Sequence, residues 1–208
     1  AEYAKKGLLT NFIRTCIEIL SSLPSVVVGL FGYLIFVVQF GYGFSILSGA
    51  LALTVFNLPQ MTRNVEDSLR HVHHTQREAG LALGLSRWET ILHVVIPEAL
   101  PGIVTGIVLA SGRIFGEAAA LIYTAGQSAP ALDWSNWNPL SVTSPISIFR
   151  QAETLAVHIW KVNSEGTIPD ATQVSAGSAA ILLIFILLFN LSARYIGKKL
   201  HAKMTSAA

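Results

Sequence analysis

The sequence predicts an all-α polytopic membrane protein, and three observations support this fold class. A run of 44 residues from Ile19 to Thr62 contains no Asp, Glu, Lys or Arg, and a second such run extends from Ala171 to Ala193. The composition agrees, because 52% of the residues are hydrophobic and 12% are charged, against about 25% charged in an average soluble domain. An apolar helix of about 20 residues crosses a hydrocarbon core about 30 Å thick, so both runs are expected to lie in a bilayer.

Four membrane spans are expected. The first uncharged run is too long for one helix and about right for two, and Gly41–Gly43 near its middle is a turn signal with an interfacial tyrosine. The third span contains two ionised residues, and a basic tail follows the fourth. The expected spans are Ser22–Phe40, Phe44–Met61, Gly102–Thr124 and Thr172–Ala193.

The distribution of Lys and Arg predicts the topology. Eleven of the 14 basic residues lie in segment 1–18, in the 62–99 loop or in the C-terminal tail, whereas the loops on the other side hold only Arg150 and Lys161. Short cytoplasmic loops collect Lys and Arg, so the N-terminal segment, the 62–99 loop and the C-terminus are expected in the cytoplasm. Charged residues follow Ala1 at once, which argues against a signal peptide, and the native start of the chain is expected upstream.

The 63–97 loop is helical in character. Gly84 is predicted to end a first helix, and Ser86 is predicted to cap a second one with Glu89 at its third position. Two short helices that meet at a glycine are too polar to span a membrane, so we expect them to dock on another surface. On physical grounds alone, that surface is either a partner or the lipid headgroups, where Trp88 would anchor an amphipathic hairpin.

Seven residues of this loop stand at a fixed spacing: Glu78, Ala79, Gly80, Gly84, Val94, Ile96 and Pro97. Their pattern resembles the EAA loop of ABC importer permeases, which is usually written EAA-x3-G-x9-I-x-L-P. The chain departs from the pattern at positions 80, 94 and 96, each time by a small change in apolar volume. The resemblance implies that this loop docks in a cleft of a separate ATPase subunit, which closes on ATP and moves the permease between inward and outward openings.

The resemblance extends along most of the chain. The stretches that carry it are Glu2–Gly7, Leu23–Gly32, Gly112–Ala119 and Leu155–Trp160. They resemble the PstA-type permease subunit of phosphate ABC importers, although the family usually has Pro at position 156 and residues 127–143 fall outside the similarity. The resemblance implies a type I ABC importer (MetI-like) transmembrane domain over residues 1–208 in the bacterial cytoplasmic (inner) membrane, with the last four of the family's six spans.

The same resemblance implies three protein partners besides membrane lipid. They are an ATP-binding subunit, a second homologous permease subunit and an extracytoplasmic phosphate-binding protein, which would meet the extracytoplasmic 125–171 loop. The chain contains no Gly-x-x-x-x-Gly-Lys-Ser/Thr sequence, so hydrolysis of ATP through a P-loop is expected on the partner. We therefore expect a transport subunit rather than an enzyme, with no cofactor of its own. The basic residues serve topology and give no basis for nucleic-acid binding.

Two ionised residues, Arg113 and Glu117, lie inside the third expected span. Because they are four residues apart, they are expected on one helical face, with Arg113 roughly 16 Å along the helix and close to the bilayer midplane. A lone charge there costs at least about 2.5–3.5 kcal/mol, so both side chains are expected to face protein or water. Arg suits a tetrahedral oxyanion because its planar fork makes two charge-assisted bonds. Glu117 would orient Arg113 and weaken its hold, so that phosphate is released.

The alternative for this pair is a structural ion pair that locks helix packing. Small residues accompany the pair, since Gly102-x-x-x-Gly106 and Gly112-x-x-x-Gly116 let another backbone approach closely. We therefore expect this helix to line a seam between subunits rather than lipid. Arg63, at the cytoplasmic end of the second span, is a weaker pathway residue, for which a snorkelling topology anchor is the alternative.

Metal binding is not expected. His71, His73 and His74 have no distant second cluster of metal ligands and are predicted to belong to a solvated cytoplasmic linker. Two alternatives to phosphate transport stay open: a permease for another anion or small solute, and a non-transporting membrane scaffold or signalling subunit.

Overall fold

The computed structural model describes residues 7–165 and 169–206, and every regular element in these ranges is a helix. In chain order the described helices are α1 (Leu8–Ser22), α2 (Ser25–Gly32), α3 (Ile46–His71), α4 (His74–Ala82), α5 (Arg87–Thr90), α6 (Ile96–Phe115), α7 (Ala119–Thr124), α8 (Leu155–Glu165) and α9 (Ala171–Ser206). Two π-helical segments extend this set, since Tyr33–Gln39 continues α2 and Ile91–Val95 joins α5 to α6. The predicted all-α fold class is confirmed. The Glu2–Gly7 stretch, apart from its last residue, lies outside the described residues.

The described residues fall into two units. Unit 1 consists of residues 7–18, 59–112 and 187–206, and unit 2 consists of residues 19–58, 113–165 and 169–186. The fourth predicted span is part of α9, which continues without interruption through the basic tail.

Two described helical stretches are long and apolar enough to cross a membrane, Arg87–Phe115 and Ala171–Lys203. The pair Leu8–Ser22 and Ser25–Gln39, which is bent by 101° at its break, makes a third if it is counted as one span. α3 is not among them, because its C-terminal half is polar and charged. The predicted span Phe44–Met61 therefore corresponds, from Ile46 onward, to the apolar half of a longer helix.

The prediction of one continuous helix over Gly102–Thr124 is wrong, because α6 and α7 are separate helices. Between them, the N–H of Glu117 donates to the carbonyl oxygen of Ile114 at 3.1 Å, which closes a tight turn. The Glu117 carboxylate accepts the N–H of Ala120 at 3.2 Å. Gly116 weakens the helix at this point, and the carboxylate satisfies one of the N–H groups that the start of α7 leaves without an intrahelical partner.

A small apolar core and close helix contacts hold unit 1 together. Val72, Val95 and Ala99 are buried in this core, with Leu69 and Ile103 packed against them. Leu69 lies in α3, Val72 lies just after its end, and the other residues come from the π-helical segment before α6 and from α6 itself. Full burial of one such aliphatic side chain contributes about 1.5–3 kcal/mol, so the core fixes the C-terminal end of α3 against α6.

Two glycines of α6 let it lie close to α3. A Cβ atom on Gly102 would lie 2.8 Å from Oγ of Ser68, and one on Gly106 would lie 2.9 Å from Cβ of Asn64. Any larger residue at either position would push the helices apart. The close approach that the small residues predict is thus made, at these two positions, with another helix of the same chain.

Unit 2 is built on a similar contact between α2, α3 and α7. A Cβ atom on Gly29 would lie 2.8 Å from the Cα atom of Ala120, and one on Gly49 would lie 2.9 Å from the Cβ atom of Ala125. Because the first of these contacts is with backbone, no side-chain movement relieves it. The glycines therefore set the spacing of the three helices.

The loop before α8 packs on the start of α3. The N–H groups of Ile46 and Leu47 donate to the carbonyl oxygens of Arg150 and Ile148, both at 2.9 Å. The first N–H groups of a helix have no intrahelical acceptors, so this loop supplies acceptors for α3. The 125–171 segment is thus partly folded against its own helices, and it also contains α8.

Candidate functional site

α4 and α5 meet at the bend that the sequence predicts. Gly84 has φ +86°, a left-handed conformation that glycine adopts readily. The Ser86 hydroxyl accepts the N–H of Glu89 at 3.3 Å, and the Glu89 carboxylate accepts the N–H of Ser86 at 2.8 Å. The glycine stop and the capping box are confirmed. The prediction of a second short helix is wrong, because α5 continues into α6 and the whole stretch Arg87–Phe115 has 29 residues.

The surface of this α4–α5 hairpin (residues 74–90) combines apolar and charged groups. Leu81 is 46% exposed and Leu83 is 83% exposed, and Glu78 is exposed beside them. A Cβ atom on Gly80 would lie 2.9 Å from Cγ2 of Thr90. Glycine in place of the alanine of the EAA pattern therefore lets α4 lie against α5. A cavity of about 350 Å³ lies beside the hairpin, lined by both charged and apolar side chains.

Arg113 lies in the last turn of α6 with its side chain exposed. Its guanidinium carbon lies 4.2 Å from the ring centroid of Phe56 on α3, and Phe56 itself is 3% exposed. The negative face of an aromatic ring attracts a cation, so the buried ring positions one face of the guanidinium. No carboxylate lies within 4.0 Å of Arg113 in residues 7–165 and 169–206. Its N–H edge is therefore available to an oxyanion.

Glu117 does not share a helical face with Arg113, and that prediction is wrong. α6 ends at Phe115, so the four-residue spacing no longer places the two side chains one turn apart. Glu117 is half-buried, and its carboxylate accepts the N–H of Ala120 at the start of α7. A negative charge at a helix N-terminus also interacts favourably with the helix dipole. The observed partner of Glu117 is thus the backbone of α7.

Arg63 is held by an ion pair. Its Nη2 lies 2.8 Å from Oε1 of Glu18 on α1, and both side chains are more than one third exposed. A second contact between the same helices joins Arg14 of α1 to Glu66 of α3. These pairs join α1 to the C-terminal half of α3, which is a structural role for Arg63.

The remaining small residues of the third predicted span differ from Gly102 and Gly106. Gly112 has open space around the position of a Cβ atom, and Gly116 is exposed in the break between α6 and α7. Gly112 therefore brings no other element of the described chain close to α6. The predicted seam with another subunit stays a prediction for this part of the helix.

Two histidines near the start of α4, His71 and His74, have local partners. Nδ1 of His71 lies 2.6 Å from the carbonyl oxygen of Asp67, and Nδ1 of His74 lies 3.2 Å from the carboxylate of Glu78. Within residues 7–165 and 169–206, no three side chains of His, Cys, Asp or Glu converge on one point as metal ligands would.

Phe56 is the site residue that sequence reasoning missed. It lies in an uncharged run with many other apolar residues, and nothing in that pattern marks it as the ring under Arg113. The sequence offers only a weak signal for this position, the polar residue Asn57 that follows Phe56 in the apolar run. In the structure Asn57 is 7% exposed. Its Nδ2 donates to the carbonyl oxygen of Leu53 at 2.9 Å, while its buried Oδ1 has no partner among the described residues.

Comparison of the chain with known proteins consistently identifies one family. The family described as the binding-protein-dependent transport system inner membrane component matches residues 1–206. The chain is 58% identical over 206 residues to the probable ABC transporter permease protein YqgI of Bacillus subtilis, a match that covers 99% of this chain and 70% of that protein. It is 36% identical over 184 residues to the phosphate transport system permease protein PstA 2 of Mycobacterium bovis, covering 88% of this chain and 56% of that one. It is 35% identical over 194 residues to the phosphate transport system permease protein PstA of Xylella fastidiosa, covering 93% of this chain and 63% of that one.

The chain thus spans less than two thirds of the length of these two PstA relatives. A solved structure of the MetNI methionine ABC transporter in an inward-facing conformation has a similar fold, with a TM-score of 0.67 over 93% of this chain and 76% of that chain. The identity in this comparison is 18%, so the likeness concerns the fold alone. With its apolar helices and its match over residues 1–206, the chain belongs to the family of ABC transporter permeases that form the inner membrane component of binding-protein-dependent transport systems.

Proposed function

We propose that this chain is the PstA-type permease subunit of a phosphate importer and that it lies in the bacterial inner membrane with its C-terminus in the cytoplasm. The observation that carries the proposal is the guanidinium of Arg113, which is exposed, stacked on Phe56 and without a carboxylate within 4.0 Å in the described ranges. Relatives at 35% and 36% identity that bear the name of phosphate transport permeases support the same solute.

The chemistry of Arg113 suits a permeating phosphate. A guanidinium keeps its proton at any physiological pH, and its N–H donors match two oxygens of a phosphate. The ring of Phe56 restricts the side chain from one face and leaves these donors unused. Conduction requires a site that is attractive enough to enter and weak enough to leave. A single stacked arginine meets this condition better than a closed cage of several cations.

Glu117 acts in this proposal as a positioning residue. Its carboxylate caps α7 at Ala120, and α7 packs against α2 through Gly29. Loss of this cap would loosen the start of α7, which directly follows the end of the helix that carries Arg113. The charge of Glu117 is assigned to the local fold rather than to the release of phosphate.

The α4–α5 hairpin is assigned to contact with a separate ATP-binding subunit. The residues assigned to this contact are those of the EAA pattern: Glu78, Ala79, Gly80, Gly84 and Pro97. Exposed Leu81 and Leu83 supply apolar area for a partner. ATP binds to that partner, and this chain holds no cofactor. A second homologous permease subunit and an extracytoplasmic phosphate-binding protein, which meets residues 125–171, complete the proposed importer.

A permease for another solute is the second candidate. The relative at 58% identity has no solute in its name, and the solved structure of similar fold belongs to a methionine transporter. The two candidates differ in chemistry, because methionine is a zwitterion with an apolar side chain whereas phosphate is a small anion. An exposed arginine on an aromatic ring favours the anion.

Uptake into vesicles distinguishes these solutes. The complex is assembled with its ATP-binding subunit and its binding protein, reconstituted, and supplied in turn with labelled phosphate, sulfate and methionine. We expect ATP-dependent uptake of phosphate to be at least about tenfold faster than uptake of the other two, since a binding difference of about 1.4 kcal/mol gives a factor of ten. A preference for sulfate or methionine would overturn the assignment of phosphate and leave family membership unchanged.

A further inference from the structure

We propose that a cleft between α6 and α9 binds the headgroup of an anionic phospholipid. The cleft has a volume of about 510 Å³ and lies within unit 1. Charged and apolar side chains line it, among them Pro101, Val104, Leu191, Arg194, Tyr195 and Lys198. None of these residues is assigned above to the passage of solute or to the ATP-binding subunit.

The position of the cleft along both helices matches a membrane surface. On α9, Arg194 is the first charged residue after the uncharged run that ends at Ala193. Tyr195 follows it and is 68% exposed, and tyrosine is enriched at the level of the headgroups. On α6, the uncharged stretch begins directly after Glu98. Because both helices belong to stretches able to cross a membrane, the cleft lies where the hydrocarbon ends and the headgroups begin.

Two cations at the cleft are without an acidic partner. Arg194 and Lys198 are exposed and four residues apart on α9, and no carboxylate lies within 4.0 Å of either in the part of the chain that the structure describes. Like charges at this spacing repel each other. A phosphodiester placed between them would accept hydrogen bonds from both and remove the repulsion. Basic pockets between membrane helices are known to hold anionic headgroups in this way.

The apolar side of the cleft favours a lipid over a free phosphate ion. Leu191 is 66% exposed and lies one turn before Arg194, inside the uncharged run. Val104 of α6 lines the same cleft. A free phosphate would use only the two cations, whereas the first carbons of a phospholipid would also cover Leu191 and Val104. The arrangement of a charged end beside an apolar end matches a headgroup and the start of its acyl chains.

The chain's own contacts fix the walls of the cleft. A Cβ atom on Gly197 would lie 2.5 Å from Cγ1 of Val104, so α9 and α6 approach closely at this point. Nδ1 of His201 lies 3.2 Å from the carbonyl oxygen of Pro97. In a regular helix this oxygen would accept the N–H of residue 101, but Pro101 has no N–H group. A site whose walls are fixed before binding loses less conformational freedom when the ligand enters.

Retention of lipid by single variants tests the proposal. The assembled complex with the full-length permease is exchanged into mixtures of phosphatidylglycerol and phosphatidylcholine, and the retained lipid is quantified by native mass spectrometry. We expect Lys198→Gln and Arg194→Gln to retain at least fivefold less phosphatidylglycerol than the wild type. Lys199→Gln is the matched control, because Lys199 is the adjacent lysine of α9 and does not line the cleft. We expect this control to retain the wild-type amount.

A measurement on the unaltered complex does not depend on the folding of any variant. We expect the wild type to retain phosphatidylglycerol at least fivefold over phosphatidylcholine, and inorganic phosphate at millimolar concentration not to displace it. Equal retention of the two lipids, displacement by inorganic phosphate, or an equal loss in Lys199→Gln would overturn the proposal. None of these outcomes depends on which solute the permease transports.

Discussion

Three arginines of unit 1, Arg14, Arg63 and Arg70, and Arg113 of unit 2 have different kinds of partner. In unit 1, Arg63 pairs with Glu18 at 2.8 Å, and two further arginines share the carboxylate of Glu66. In unit 2, Arg113 lies over the ring of Phe56, with no carboxylate within 4.0 Å among the described residues. An ion pair engages a donor of a guanidinium and offsets its charge, whereas a ring contacts only its face. The first arrangement joins helices, and the second leaves donors for a ligand.

The free energies expected for the two arrangements also differ. An exposed ion pair contributes about 0.2–1 kcal/mol, which is enough to help hold α1 on α3 and too little to define a binding site. A cation at the centre of a bilayer costs at least about 2.5–3.5 kcal/mol on insertion scales, and an aromatic face offsets about 0.5–2 kcal/mol of such a cost. The contact partner of an arginine therefore indicates the role of that arginine better than its position along a predicted span does.

Phe56→Leu is expected to give the largest effect that leaves Arg113 itself in place. Loss of a stacking contact worth about 0.5–2 kcal/mol corresponds to about a 2- to 30-fold fall in solute uptake. Phe185→Leu is the control for a ring that contacts another ring, because Phe185 packs edge-on against Phe115, with ring centroids 5.2 Å apart, rather than under a cation. Vesicle uptake by both variants, at equal amounts of assembled complex, checks the prediction. An equal fall in the two variants would mean that the ring serves packing only.

Glu117→Ala is expected to act on stability more than on uptake. Removal of a side chain that caps a helix costs about 0.5–2 kcal/mol, so the midpoint of thermal unfolding should fall. Glu117→Gln keeps an acceptor for the N–H of Ala120 and should show a smaller loss. If Glu117→Gln abolished uptake while the midpoint stayed unchanged, the negative charge would be needed for transport. That result would contradict the assignment of Glu117 to the local fold.

Arg63→Ala is expected to give the smallest effect of these variants. Its ion pair with Glu18 is exposed, so the free energy of unfolding should fall by about 0.2–1 kcal/mol and uptake should stay within twofold of the wild type. In the double variant with Glu18→Ala, the loss in free energy of unfolding should not exceed the sum of the losses in the two single variants. A large loss of uptake in Arg63→Ala would instead place this residue on the solute pathway.

Features that depend on neighbours in sequence were predictable. The bend at Gly84 needs a residue that tolerates positive φ, and the capping box needs only Ser86 and Glu89 three positions apart. The charge-free runs likewise predicted the apolar helices. The glycine and capping signals act over a few residues, so the rest of the fold has little influence on them.

Features set by the rest of the fold were not predictable. A glycine in an apolar helix is usually tolerated, so Gly116 alone did not predict that α6 would end before Glu117. The ion pair of Arg63 joins residues 45 positions apart, and the ring under Arg113 comes from another helix. In each case the partner is chosen by helix packing, which the sequence pattern does not specify.

The most direct test compares Arg113→Ala with Arg63→Ala in ATP-dependent uptake of labelled phosphate by vesicles that contain the assembled complex. Both variants remove one guanidinium from a helix, but Arg63 has an acidic partner in Glu18 whereas Arg113 has none among the described residues. We expect uptake to fall to background in Arg113→Ala and to stay above half of the wild-type rate in Arg63→Ala, with equal assembly of both complexes. Phosphate uptake at the wild-type rate in Arg113→Ala would contradict the assignment of this guanidinium to the passage of the anion.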